Sequence, residues 1–118
     1  MILAILDDLL FTSKIRTTAK QLGVPLTVAR SKDDALAAMH ATVPRLVIFD
    51  LNNPRTDPLG TVAAMKADPA LAAIPTVAFV SHVQVALIDE ARRAGVGEVM
   101  ARSYFAGRLP EILSSGRE

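Results

Sequence analysis

The sequence predicts an α/β domain: a doubly wound, five-stranded parallel sheet with helices on both faces. Three observations carry this prediction. Five short apolar runs alternate with longer segments of helical periodicity. The runs are apolar at consecutive positions rather than at every second one, as in strands buried on both sides. The connections are short, and right-handed crossovers between parallel strands then place helices on both faces.

Ile2–Leu6 is the first strand. Leu9–Leu22 follows as a helix, with Leu10, Ile15, Ala19 and Leu22 near helical spacing and Gly23 as its stop. Pro25–Ala29 is a short second strand. Ser31, with Asp34 three residues on, reads as a capped helix start before Ala35–His40. Arg45–Phe49 is the third strand. Asp57-Pro58 opens the next helix, with Asp as cap and Pro at the first helical position, where no amide donor is missed. Leu59, Val62, Ala63 and Lys66 continue it. Thr76–Val80 is the fourth strand, Val85–Ala94 a helix closed by Gly95, Glu98–Ala101 the fifth strand and Tyr104–Leu113 the last helix.

The 118 residues fit one domain, 1–118, and 51% hydrophobic content supplies a core. Thirteen basic and twelve acidic side chains leave a net charge of +1, which argues against a dedicated nucleic-acid surface; Arg92-Arg93, Arg102 and Arg108 make the C-terminal third locally basic and read as a solvated face. Without cysteine there are no disulfides, thiolate metal sites or cysteine nucleophiles, in keeping with a cytoplasmic protein. The apolar start, Ile2–Leu6, runs straight into Asp7-Asp8 and is no signal peptide. No apolar run approaches the ~20 residues of a membrane span. The chain lacks the G-x-S-x-G elbow of a hydrolase and a phosphate-cradling G-x-x-x-x-G-K-[ST] loop, so it does not read as an enzyme.

In doubly wound folds ligands sit at the carboxyl ends of the strands. Those ends carry Asp7-Asp8, Asp50, Val80-Ser81-His82 and Arg102-Ser103. Three carboxylates on one edge repel each other and need a cation or a proton. Oxygen ligands without His or Cys suit a hard ion such as Mg²⁺, which uses one or two carboxylates with water and phosphoryl oxygens. With Arg102 as a fixed cation, these are the ingredients of phosphoryl transfer to an aspartate.

The stretch Asp50-Leu51-Asn52-Asn53-Pro54-Arg55-Thr56-Asp57-Pro58-Leu59 resembles the D-x-x-x-P-x-x-D-G-L pattern of the receiver domains of bacterial response regulators. Ile74-Pro75 before the fourth strand, and Ala94-Gly95 with Arg102 seven residues after the glycine, extend the resemblance over nearly the whole chain. It implies a flavodoxin-like sheet of order 2-1-3-4-5. It places Asp50 as phosphoacceptor, with Asp7, Asp8, Asp50 and the backbone carbonyl of Asn52 around Mg²⁺. A histidine kinase or phosphotransfer protein would supply the phosphoryl group. A downstream protein partner, or a homodimer through the last two helices, would receive the signal, with Val99 and Tyr104 on the interaction face and no direct nucleic-acid or membrane contact.

The sequence departs from that pattern at the positions that carry the chemistry. Counting back from Gly23 puts Leu6 and Asp7, not two acids, at the end of the first strand; a one-residue shift would restore both. Val80 holds the position of the switch hydroxyl, and Ser81 comes one residue late, on the opposite face unless the strand end bulges. Arg102 replaces a lysine, and a planar fork is not a compact ammonium. Ser103 replaces the proline that follows that lysine; a cis bond there would cost roughly 2.5–4 kcal/mol. Pro58, with φ fixed, replaces glycine, so the turn is expected to avoid positive φ. Two functions fit: a receiver phosphorylated on Asp50, or a phosphorylation-independent pseudo-receiver acting as a protein–protein interaction module. A flavin-binding flavodoxin relative is a third, supported by fold order alone.

Overall fold

A computed structural model describes residues 1–81 and 84–115 of the chain. His82, singled out in the sequence, lies outside the described residues. The strands β1 (Ile2–Ile5), β2 (Leu26–Ala29), β3 (Leu46–Asp50), β4 (Thr76–Val80) and β5 (Glu98–Ala101) form one parallel sheet in the order β2-β1-β3-β4-β5. Between and after them run α1 (Leu9–Leu22), α2 (Lys32–Ala41), α3 (Pro58–Ala67), α4 (Val85–Ala94), α5 (Arg102–Gly107) and α6 (Leu109–Ser115).

The consecutive apolar residues of each strand divide between two cores, because successive side chains leave a strand on opposite faces. Leu3, Ile5, Val47, Phe49, Ala78 and Val80 pack with residues of α2, α3 and α4, among them Met39, Met65 and Ala91. Ile2, Ala4, Ile48, Val77 and Phe79 pack on the other face with Phe11 and Ile15 of α1 and with Phe105, Leu109 and Leu113. Phe79 anchors this second core through Phe11 and Phe105, with ring centroids 4.9 and 4.8 Å away. The parallel register pairs Ile5 with Phe49, Asp50 with Phe79 and Val80 with Ala101, so the carboxyl ends of the central strands open on one edge.

Several boundaries differ from the sequence reading for local reasons. Leu6 lies past β1, yet its N–H still donates to the Ala29 carbonyl. β3 includes Asp50, which pairs with Phe79, while the following Leu51 N–H donates to the Phe79 carbonyl. α2 starts at Lys32, directly after the Ser31 cap; its first turn is polar and therefore invisible to hydrophobic periodicity. The last helix begins at Arg102, straight off β5, and is interrupted at Arg108. Pro110 has no N–H to offer the Ala106 carbonyl, so one continuous ladder cannot run through it. The Arg102–Ser103 bond is trans, since no cis peptide occurs among the described residues.

Phe79 fills the centre of the second core with no exposed surface to speak of. Phe79→Ala is expected to lower the unfolding free energy by about 3–5 kcal/mol, read from urea denaturation.

Candidate functional site

Asp50 sits at the end of the central strand and is only 7% exposed. By the register it projects on the same side as Phe79, beside the aromatic cluster. Its Oδ1 accepts the Asn52 N–H at 2.9 Å. Burial pushes its pKa up; that hydrogen bond and the nearby Arg102 charge oppose the rise, and the Asp8 charge adds to it.

The loop after Asp50 is fixed by its own polar side chains. The Asn53 side chain accepts the Arg55 N–H at 3.2 Å and starts a 3₁₀ turn over Pro54–Thr56. Thr61 Oγ1 donates to the carbonyls of Asp57 and Thr56, at 2.8 and 3.2 Å. Asp57 then caps α3, accepting the Gly60 N–H at 3.2 Å, as its sequence position predicts. The expectation that this turn avoids positive φ is corrected. The left-handed residue is Asp57 itself, with φ 44°, one position before the fixed Pro58. Asp tolerates this region better than most side chains, and a Cβ at Gly60 would run into its capping carboxylate.

The two acids after β1 take different roles. Asp7 Oδ2 is 2.5 Å from Nη1 of the exposed Arg55, in the β3–α3 loop. Asp8 caps α1 by accepting the Phe11 N–H at 3.0 Å and pairs with Arg102 Nη2 at 2.8 Å. The Phe11 hydrogen bond and then Arg102 hold the Asp8 pKa below its ordinary value. Leu6 is fully buried in the core. The three carboxylates therefore do not share one cation: two arginines take Asp7 and Asp8 separately. Asp8, which gap-free counting left outside the acid pair, is the one that reaches Arg102 and whose charge acts on Asp50.

Arg102 is anchored from two sides, with its guanidinium carbon 4.3 Å from the Phe11 ring centre while Nη2 donates to Asp8 Oδ2. Laying a flat guanidinium over the ring is a contact that a lysine cannot reproduce. Val80 is buried in the sheet core and brings no hydroxyl. Ser81 turns its N–H and Oγ to Asn52 Oδ1, at 2.6 and 2.7 Å, and Asn52 Nδ2 donates to Gln84 Oε1 at 2.7 Å. Asn52 thus ties the β3–α3 loop to the segment after β4. Val99 is partly buried against the α2–α4 core, whereas Tyr104 is about half exposed on α5. Arg55, Phe11 and Gln84 escaped the sequence reading. Only the position of Arg55 between Asp50 and Asp57 hinted at a role.

Among the described residues, no three His, Cys, Asp or Glu side chains gather into a metal-holding cluster. The donor set is nevertheless hard oxygen, and Mg²⁺ needs only one or two carboxylates. The guanidinium groups show where the edge demands positive charge, and among the described residues none is in contact with the buried Asp50. These residues fit a divalent ion held by few protein ligands.

No family model matches the chain, and no curated protein matches it. Solved structures do. A response regulator from Hahella chejuensis superposes with a TM-score of 0.86 at 20% identity, covering 98% of this chain and 93% of that one. The phosphorylated cyanobacterial phytochrome response regulator RcpA gives 0.81 at 22%, covering 97% and 88%. The Mn²⁺-bound response regulator Rcp1 gives 0.81 at 20%, covering 96% and 91%. The chain has the receiver fold over nearly its whole length. No helix among the described residues is long and apolar enough to cross a membrane.

Two outcomes follow from the electrostatics. Asp50 binds its proton more tightly folded than unfolded, so its charge costs stability above the raised pKa, and this cost vanishes as pH falls toward the unfolded value. Asp50→Asn should therefore raise the thermal midpoint at neutral pH, and the gap to the parent should close on acidification. Asp8→Ala removes the cap and leaves Arg102 unpaired, and should cost about 1–2 kcal/mol in denaturant melts.

Proposed function

We propose that this chain is a receiver domain of a two-component system that accepts a phosphoryl group on Asp50. The observation that carries the reading is Asp50 itself: a desolvated carboxylate at the end of the central strand, beside the charges of Asp8 and Arg102. One Asp50 oxygen forms the new bond to phosphorus while the P–N bond of a phosphohistidine breaks. The imidazole leaves with the electron pair and is protonated from solvent, and an acyl phosphate remains on Asp50. Asp50 reacts as the carboxylate, so its raised pKa means that the rate falls on acidification at a higher pH than for an ordinary aspartate.

The candidate Mg²⁺ ligands are Asp7, Asp8, Asp50 and the Asn52 carbonyl, of which the ion would use one or two carboxylates, Asp8 being already engaged by Arg102; it would supply charge neutralisation for the phosphoryl oxygens. The Ser81 hydroxyl, which donates to Asn52 Oδ1 at the rim, is the candidate substitute for the one that Val80 lacks. A histidine kinase or phosphotransfer protein is the donor. Output goes to a protein partner or a second copy through α4, β5 and the last helices, where Tyr104 is exposed above a cleft bordered by Glu98, Met100 and Ile112. Among solved relatives, RcpA is described as phosphorylated and Rcp1 as Mn²⁺-bound, which supports the reading by analogy of fold.

A second reading, a pseudo-receiver that works without phosphorylation, is favoured by the buried Val80 and by Arg102 locked between Asp8 and Phe11. Acetyl phosphate with Mg²⁺ separates the two. The first reading expects intact-protein mass spectrometry to show one added phosphoryl group, lost in Asp50→Asn. No gain, or a gain that survives Asp50→Asn, rejects it. Under the second reading, Asp50→Asn keeps full partner binding.

A further inference from the structure

Arg55 is a cation with no partner in the receiver pattern, yet it reaches across the edge to Asp7. Its backbone is held independently, through the Asn53 cap and the 3₁₀ turn, so the side chain is not needed to build the loop. It is largely exposed, and a guanidinium keeps its full positive charge at every physiological pH. The other acid after β1, Asp8, already has Arg102 as a buttressed counterion. Of the two acids after β1, Asp7 is therefore the one held only by an exposed, exchangeable partner, and that partner is Arg55.

We infer that Arg55 is a tethered counterion that competes with divalent cations for Asp7 and so sets the metal affinity of the edge. The inference rests on the reading of this edge as a cation-assisted phosphoacceptor site. Two effects act together. A divalent ion must take the Asp7 oxygen from the guanidinium, and once it is there it still feels a positive charge a few ångströms away. In water that repulsion alone weakens binding several-fold, and salt screens it. An exposed pair such as Arg55–Asp7 is weak enough to yield, so the arginine tunes binding rather than abolishing it.

The test titrates Mn²⁺ into the protein at low ionic strength, reading free Mn²⁺ by electron paramagnetic resonance, with Mg²⁺ as competitor. Arg55→Ala should tighten Mn²⁺ binding roughly five- to tenfold, and the gain should shrink as salt rises. Arg55→Lys, which keeps the charge, should stay close to the parent. Equal affinities of parent and Arg55→Ala overturn the inference; if Asp50 is still phosphorylated by acetyl phosphate, the receiver reading stands without it. Absence of Mn²⁺ binding in both proteins also overturns it, and with no phosphorylation of Asp50 the receiver reading falls too.

Discussion

The burial of one carboxylate at the end of the central strand is the constraint around which the edge is organised. β3 is flanked by β1 and β4 and covered by helices on both faces, so its last residue has little access to solvent. A charge there is costly unless other groups compensate it. The Asn52 N–H and the nearby Arg102 offset only part of that cost, which leaves Asp50 harder to ionise than an ordinary aspartate. The polar loop after β3 and the cap of α3 follow from the same need: the chain must leave a buried strand and turn within a few residues into a helix. It does so through Asn53, Asp57 and Thr61, whose side chains supply the hydrogen bonds that the turning backbone lacks.

The arginines divide the electrostatic work. Arg102 is fixed by a carboxylate and a ring, and so acts on Asp50 as a field rather than as a contact. A lysine at this position could swing its ammonium onto Asp50; an arginine stacked on Phe11 gives up that freedom for a rigid orientation. Arg55 sits on a solvent-facing turn and holds Asp7 through a pair that water and salt can loosen. The edge thus combines one permanent counterion with one exchangeable one.

Much of this was legible in the sequence. Consecutive apolar runs announced strands buried on both faces, and Gly23, Gly95, Ser31 and Asp57-Pro58 marked helix ends where the structure has them. The position of Asp50 followed from strand order and fold. What stayed hidden depends on side-chain reach across the edge. Counting from Gly23 made Asp7 the principal acid, but the α1 cap turns Asp8 toward Arg102. No local pattern ties Arg55 to Asp7, 48 residues away, or Ser81 to Asn52. The break at Arg108 was readable from Pro110 but lay inside an otherwise continuous helical pattern.

The central claim is that two neighbouring aspartates are driven apart: Asp50 upward by burial, Asp8 downward by its cap and its arginine. A carbon-13 NMR titration of the aspartate carboxyl groups measures both at once. The account predicts that Asp50 titrates above the ordinary aspartate range and Asp8 below it. Coincident titration of the two, or the reverse order, would contradict it.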